Sequence, residues 1–140
     1  MAQRGEWELH PQLQSDTILA GDLALSRVLV MRDANFPWLV LVPRRPQLVE
    51  IIDLAESDQA ILMTEIARVS RALKSITQCD KLNVAALGNT VAQLHVHVIA
   101  RFRHDIAGPR PVWGAAPPRS YEENALQRFV GALKQGLALQ

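Results

Sequence analysis

This chain of 140 residues contains a single cysteine, Cys79, so no disulfide can form within it, and its fold has to rest on a packed core. One thiol suits a reducing compartment, and Cys79 reads as an ordinary cysteine at a helix end. Long apolar runs are also missing. No stretch approaches the ~18 uninterrupted apolar residues of a membrane span, and the opening run MAQRGEWELHPQLQSDT has no apolar core of signal-peptide length. The expectation is a soluble, cytoplasmic protein with no membrane partner. Nor is there an excess of charge. Fifteen Lys and Arg face fourteen Asp and Glu, a formal net charge of +1, which supplies no basis for binding nucleic acid. The cations are nevertheless clustered, with Arg44 beside Arg45 and with Arg101, Arg103 and Arg110 together, where they could favour an anionic small molecule. One domain over residues 1–140 can bury about 70% of its unfolded surface without metal or disulfide.

Hydrophobic patterning supplies the elements. Residues 17–19 and 23–31 read as strands around an Ala20-Gly21-Asp22 turn, and the Trp38-Leu39-Val40-Leu41-Val42 run, stopped by Pro43, reads as a central strand. A short helix is expected over 48–54, with Glu50 and Asp53 exposed. The longest helix is expected over 57–77, capped by Ser57 or Asp58: Leu62, Ile66, Val69, Leu73 and Ile76 form its apolar face, and Glu65, Arg68, Arg71 and Lys74 fall elsewhere. Strands follow over 82–87 and 91–101, joined as a hairpin through a Gly88-Asn89 bend. Residues 107–118 are rich in Gly and Pro around Trp113, and Ser120 to Glu123 has capping-box spacing before a last amphipathic helix bearing Leu126, Phe129, Val130 and Leu133. Adjacent strands with segregated helices indicate an α+β fold: an antiparallel sheet of about five strands, a long helix packed on it and a C-terminal helix.

The most informative run is Gly88-Asn89-Thr90-Val91-Ala92-Gln93-Leu94-His95-Val96-His97-Val98-Ile99. On a strand, Gln93, His95 and His97 share one face while Leu94, Val96 and Val98 point into a core. A neutral imidazole can attack phosphorus directly, provided its other ring nitrogen keeps its proton and is aimed by an acceptor such as a carbonyl. His95, in the middle, is the candidate nucleophile. His97 can donate to a phosphoryl oxygen, and Thr90 with the amides near Gly88 and Asn89 can meet oxygens of the leaving group.

This run resembles the signature of the histidine-triad (HIT) superfamily of nucleotidyl hydrolases and transferases, His-x-His-x-His followed by two apolar residues. The order of the elements over roughly residues 20–105 is similar too, leaving 106–140 as a C-terminal loop and helix. The resemblance implies that His95 takes up the nucleotidyl group, that His97 contacts the phosphate and that Thr90 helps bind the leaving side. It also implies that Asn83 approaches the phosphates and that Asp33, or Asn35, holds ribose hydroxyls. The substrate would be a purine nucleotide or dinucleotide derivative with a phosphoanhydride or phosphoramidate bond, and the protein a homodimer. No cofactor is required, although magnesium could accompany a polyphosphate. The departure is Gln93, which stands at the first triad position; its backbone carbonyl would still orient the nucleophile.

Two other readings start from the same residues. A nucleotide-binding sensor would keep the pocket and lose turnover through Gln93. A metal-binding protein would use His95, His97 and His104, with Asp105 beside the last.

Overall fold

The computed structural model describes residues 6–140, so the first five residues of the expected domain lie outside it. Five strands, β1 (Thr17–Asp22), β2 (Ser26–Met31), β3 (Trp38–Pro43), β4 (Lys81–Ala85) and β5 (Val96–Arg101), form one sheet in the order β1-β2-β3-β5-β4. Every neighbouring pair is antiparallel. β3 is therefore central, and all six of its residues are buried. Three helices accompany the sheet: α1 (Pro11–Asp16), α2 (Glu56–Thr77) and α3 (Glu123–Leu137).

Strand alternation divides the sheet into two apolar faces. Val28, Val30, Leu39, Leu41, Val98 and Ala100 pack against Val69 and Leu73 of α2 and Leu126, Val130 and Leu133 of α3. On the opposite face, Leu29, Trp38, Val40, Val42 and Ile99 are covered by Leu13 and the partly buried Trp7 and Leu9 from the N-terminal segment, and by Ala107 and Val112 from the late loop. The histidine strand reaches solvent only where these coverings leave a gap. No helix among the described residues is long and apolar enough to cross a membrane.

Several boundaries differ from those expected, each for a local reason. Residues 20–22 continue β1 through a register shift between Leu19 and Gly21. Gly21 has φ +154°, and a Cβ there would meet Leu139 Cβ at 2.7 Å. The chain reverses at 23–25 instead, where the buried carboxylate of Glu65 accepts from the N–H groups of Leu25 (2.8 Å) and Ser26 (2.9 Å). Glu65 thus belongs to the inner face of α2, not to its polar side. The helix expected over 48–54 is a single 3-10 turn, Ile51–Asp53, because the Asp53 carboxylate collects the N–H groups of Val49 and Glu50.

Helix starts also move. α2 begins after Ala55, and neither Ser57 nor Asp58 caps it; Asp58 pairs with Arg45 at 2.8 Å. At α3 the cap is Glu122, whose carboxylate accepts from the N–H groups of Asn124 and Ala125. The short α1, absent from the sequence reading, begins on His10, whose Nδ1 accepts from the Gln12 N–H. β4 stops at Ala85 and β5 starts at Val96, so residues 86–95 form a loop within the expected hairpin, entered through Gly88 at φ +80°.

Candidate active site

His95 and His97 meet where that loop feeds into β5, with ring centroids 4.9 Å apart and planes 71° apart. Each ring is held by a partner that fixes its tautomer. Nδ1 of His95 lies 2.6 Å from the Gln93 carbonyl oxygen. A carbonyl only accepts, so Nδ1 carries the proton and, in the neutral ring, Nε2 keeps its lone pair. For His97 the polarity is reversed: the Trp38 indole N–H, which only donates, meets its Nδ1 at 2.9 Å. The neutral His97 ring therefore carries its proton on Nε2. One imidazole thus presents a ring-nitrogen lone pair and its neighbour a ring N–H.

His97 is 4% exposed, and burial, with the neighbouring His95 ring second, pushes its pKa down to about 4. An unfolded histidine titrates near ~6.5, so between about pH 6.5 and 4 the unfolded chain binds the extra proton and the folded one does not. The stability contributed by this ring is complete above pH ~6.5 and is lost as pH falls toward 4. Proton NMR of the His97 ring should show its midpoint near pH 4, and a midpoint near 6.5 would contradict the buried, neutral assignment.

His95 borders a cleft of about 240 Å³ lined also by Gly88, Gln93, Glu50 and the apolar side chains of Val49, Ile51 and Leu87. Asn89 and Thr90 lie in the exposed bend after Gly88. Asn83 sits opposite Ile99, on the face that carries His97, but its Oδ1 accepts from Arg101 at 2.9 Å. Asp33 and Asn35 are engaged elsewhere: the Asp33 carboxylate accepts from the N–H groups of Asn35 and Arg119, and the Asn35 amide donates to the Pro117 carbonyl. The structure thus brings together His95, His97, Gly88 and the Gln93 carbonyl. It uses Asp33 and Asn35 to hold the segment that precedes α3.

The Gln93 side chain is bonded to the N-terminal segment. Its Nε2 donates to the Glu8 carbonyl and its Oε1 accepts from the His10 N–H, both at 2.8 Å. Of the clustered arginines, Arg44, Arg45, Arg101 and Arg110 have guanidiniums bonded within the fold. Arg101 is 6% exposed and gives its guanidinium to Asp105, Asn83 and the carbonyls of Gly108 and Arg110. That contact pulls the Asp105 carboxyl down to about 2. Arg44 bonds the Leu23 and Ala24 carbonyls. His104 is exposed in the turn beyond β5, and among the described residues no three His, Cys, Asp or Glu side chains are grouped to hold a metal ion. The sequence reading missed Trp38 as the anchor of His97. The Trp113 ring, from the Gly- and Pro-rich segment, stands edge-on to His97 at 5.0 Å.

A family model described as HIT domain matches residues 12–104. This chain belongs to the HIT family. A histidine triad protein from Bradyrhizobium japonicum is 62% identical, with a TM-score of 0.93 over 94% of this chain and 98% of that one. A histidine triad protein from Marinobacter aquaeolei is 40% identical (TM-score 0.92; 96% and 98% covered), and one from Sinorhizobium meliloti is also 40% identical (TM-score 0.91; 94% and 97% covered). No curated protein matches the chain. In this HIT protein, Glu8 and His10, which engage Gln93, and Trp113, which touches His97, lie outside the matched residues.

Proposed function

We propose that this HIT protein is a hydrolase or transferase that cleaves a phosphoanhydride or phosphoramidate bond of a nucleoside phosphate through a nucleotidyl-histidine intermediate on His95. The observation that carries the reading is the fixed tautomer of His95, with Nδ1 held by the Gln93 carbonyl and Nε2 unprotonated. Nε2 forms a bond to the α-phosphorus as the bond to the leaving group breaks, and the leaving group departs with that electron pair. The ring then carries positive charge, and the Gln93 carbonyl stabilises it through the shared proton. His97 donates its Nε2 proton in a hydrogen bond to a non-bridging oxygen, where charge builds in the transition state. Water attacks phosphorus in the second displacement and releases a proton to the solvent, the P–N bond breaks, and a nucleoside monophosphate leaves with the lone pair restored to Nε2.

Thr90, Asn89 and the amides near Gly88 would face the leaving side, Asn83 the phosphates, and Asp33 or Asn35 the ribose once released from its present bonds. Magnesium would enter with a polyphosphate substrate and not as a resident ion. The competing reading, a purine-nucleotide sensor, draws on the Gln93 side chain, which is committed to the N-terminal segment.

Incubation with a diadenosine polyphosphate and with an adenosine phosphoramidate, followed by intact-protein mass spectrometry, separates the two. A gain of one adenylyl group on the peptide bearing His95 is expected. Nucleotide binding with neither adduct nor turnover would establish the sensor. We further propose a homodimer paired through the sheet and the long helix. Light scattering at micromolar concentration should return twice the 15.6 kDa chain mass, and a monomer would refute it.

A further inference from the structure

Residue 93 grips its surroundings with both its backbone and its side chain. The peptide unit between Gln93 and Leu94 is trans, so its C=O and N–H point in opposite directions. The C=O reaches His95 Nδ1 at 2.6 Å, and the N–H donates to the Leu48 carbonyl at 3.0 Å. That peptide lies in loop 86–95, before the β5 ladder begins at Val96, so strand pairing does not fix it. What fixes its Cα end is the side-chain amide, bonded to the Glu8 carbonyl and the His10 N–H. These backbone groups lie two residues apart on one edge of an extended segment, and the amide pairs with them much as a neighbouring strand would. The segment itself is seated by Trp7 and Leu9 against the apolar face that also holds Trp38.

We infer that Gln93 is a positioning residue for His95: its side chain clamps the loop to residues 8–10 so that its own carbonyl holds the proton on Nδ1. The inference rests on the transfer reading for its kinetic consequence. An amide suits this task because it donates and accepts at once and does not titrate. The first triad position is thereby withdrawn from the phosphate and given to the support of the nucleophile.

The test compares the full-length wild type with Gln93→Ala and Gln93→Glu. In wild type, ¹⁵N spectra of the His95 ring should show one neutral tautomer, protonated on Nδ1; in Gln93→Ala the two tautomers should mix. With an adenosine phosphoramidate as probe, the single-turnover rate of His95 adenylylation should fall about 10- to 100-fold. Gln93→Glu keeps the acceptor for His10 and loses the donor for Glu8, and protonation restores that donor. Its rate relative to wild type should therefore rise as pH falls toward the ~4.3 of a carboxyl group, a response that loosened packing alone would not produce. A Gln93→Ala protein with an unmixed His95 tautomer and wild-type adenylylation would overturn the inference. So would a Gln93→Glu ratio that stays flat with pH, which also serves if the alanine variant does not fold. Should wild type form no adduct at all, the transfer reading fails, and the ring-nitrogen spectra decide the positioning role independently.

Discussion

Replacing His95 with alanine should abolish the nucleotidyl adduct and lower turnover by about 10⁴- to 10⁶-fold, the range seen when a covalent nucleophile is removed. His97 cannot take over. Its Nδ1 is occupied by the Trp38 indole N–H, and its Nε2 holds the proton, so neither nitrogen offers a lone pair to phosphorus. Nucleotide affinity should survive in the variant, because the cleft walls formed by Val49, Ile51 and Leu87 are untouched. Rapid-quench kinetics with intact mass detection provides the measurement. An adduct that persists in His95→Ala, or that maps to His97, would reject the assignment of the nucleophile.

The largest effect on stability should come from Glu65. Its carboxylate is 2% exposed and receives the N–H groups of Leu25 and Ser26 at 2.8 and 2.9 Å, joining the middle of α2 to the turn between β1 and β2. Alanine there leaves two backbone donors buried without an acceptor, at about 1 to 3 kcal/mol each, and adds a void beneath the turn. Glu65→Ala should lose about 3 to 5 kcal/mol in urea unfolding, whereas Glu65→Gln, which keeps one acceptor oxygen, should lose about half as much. A loss below about 1 kcal/mol for the alanine variant would show that the turn rearranges to satisfy its own N–H groups.

What could be read from the sequence was whatever repeats along the chain. The apolar run at 38–42 and the Leu62-Val69-Leu73 face of the long helix follow from local periodicity and hold their expected places, whereas of the two neighbouring imidazoles only His97 lies on β5 and His95 lies in the loop before it. What could not be read depends on residues far apart in the chain. Glu65 bonds residues 39 and 40 positions away. Trp38 meets a histidine 59 positions away, and Gln93 reaches back 83 and 85 positions. Each is a polar side chain whose partner arrives only after the sheet has formed, so helical or strand patterning carries no trace of it. Spacing could place Gln93 beside the histidines; only the fold shows its amide bonded to Glu8 and His10. For Asp33 the turn-forming role is visible in its bond to the Asn35 N–H.

The aromatic contacts around His97 provide a built-in optical gauge. The chain has three tryptophans; Trp38 and Trp113 both stand within 6 Å of the His97 ring, while Trp7 lies beneath the Arg27 guanidinium. Two of the three indole fluorophores therefore border the His97 imidazole, and Trp113 is open enough, at 40% exposure, to sense what enters. Intrinsic emission can follow occupancy in real time on the unlabelled protein, with Trp113→Phe separating the exposed reporter from Trp38 and Trp7.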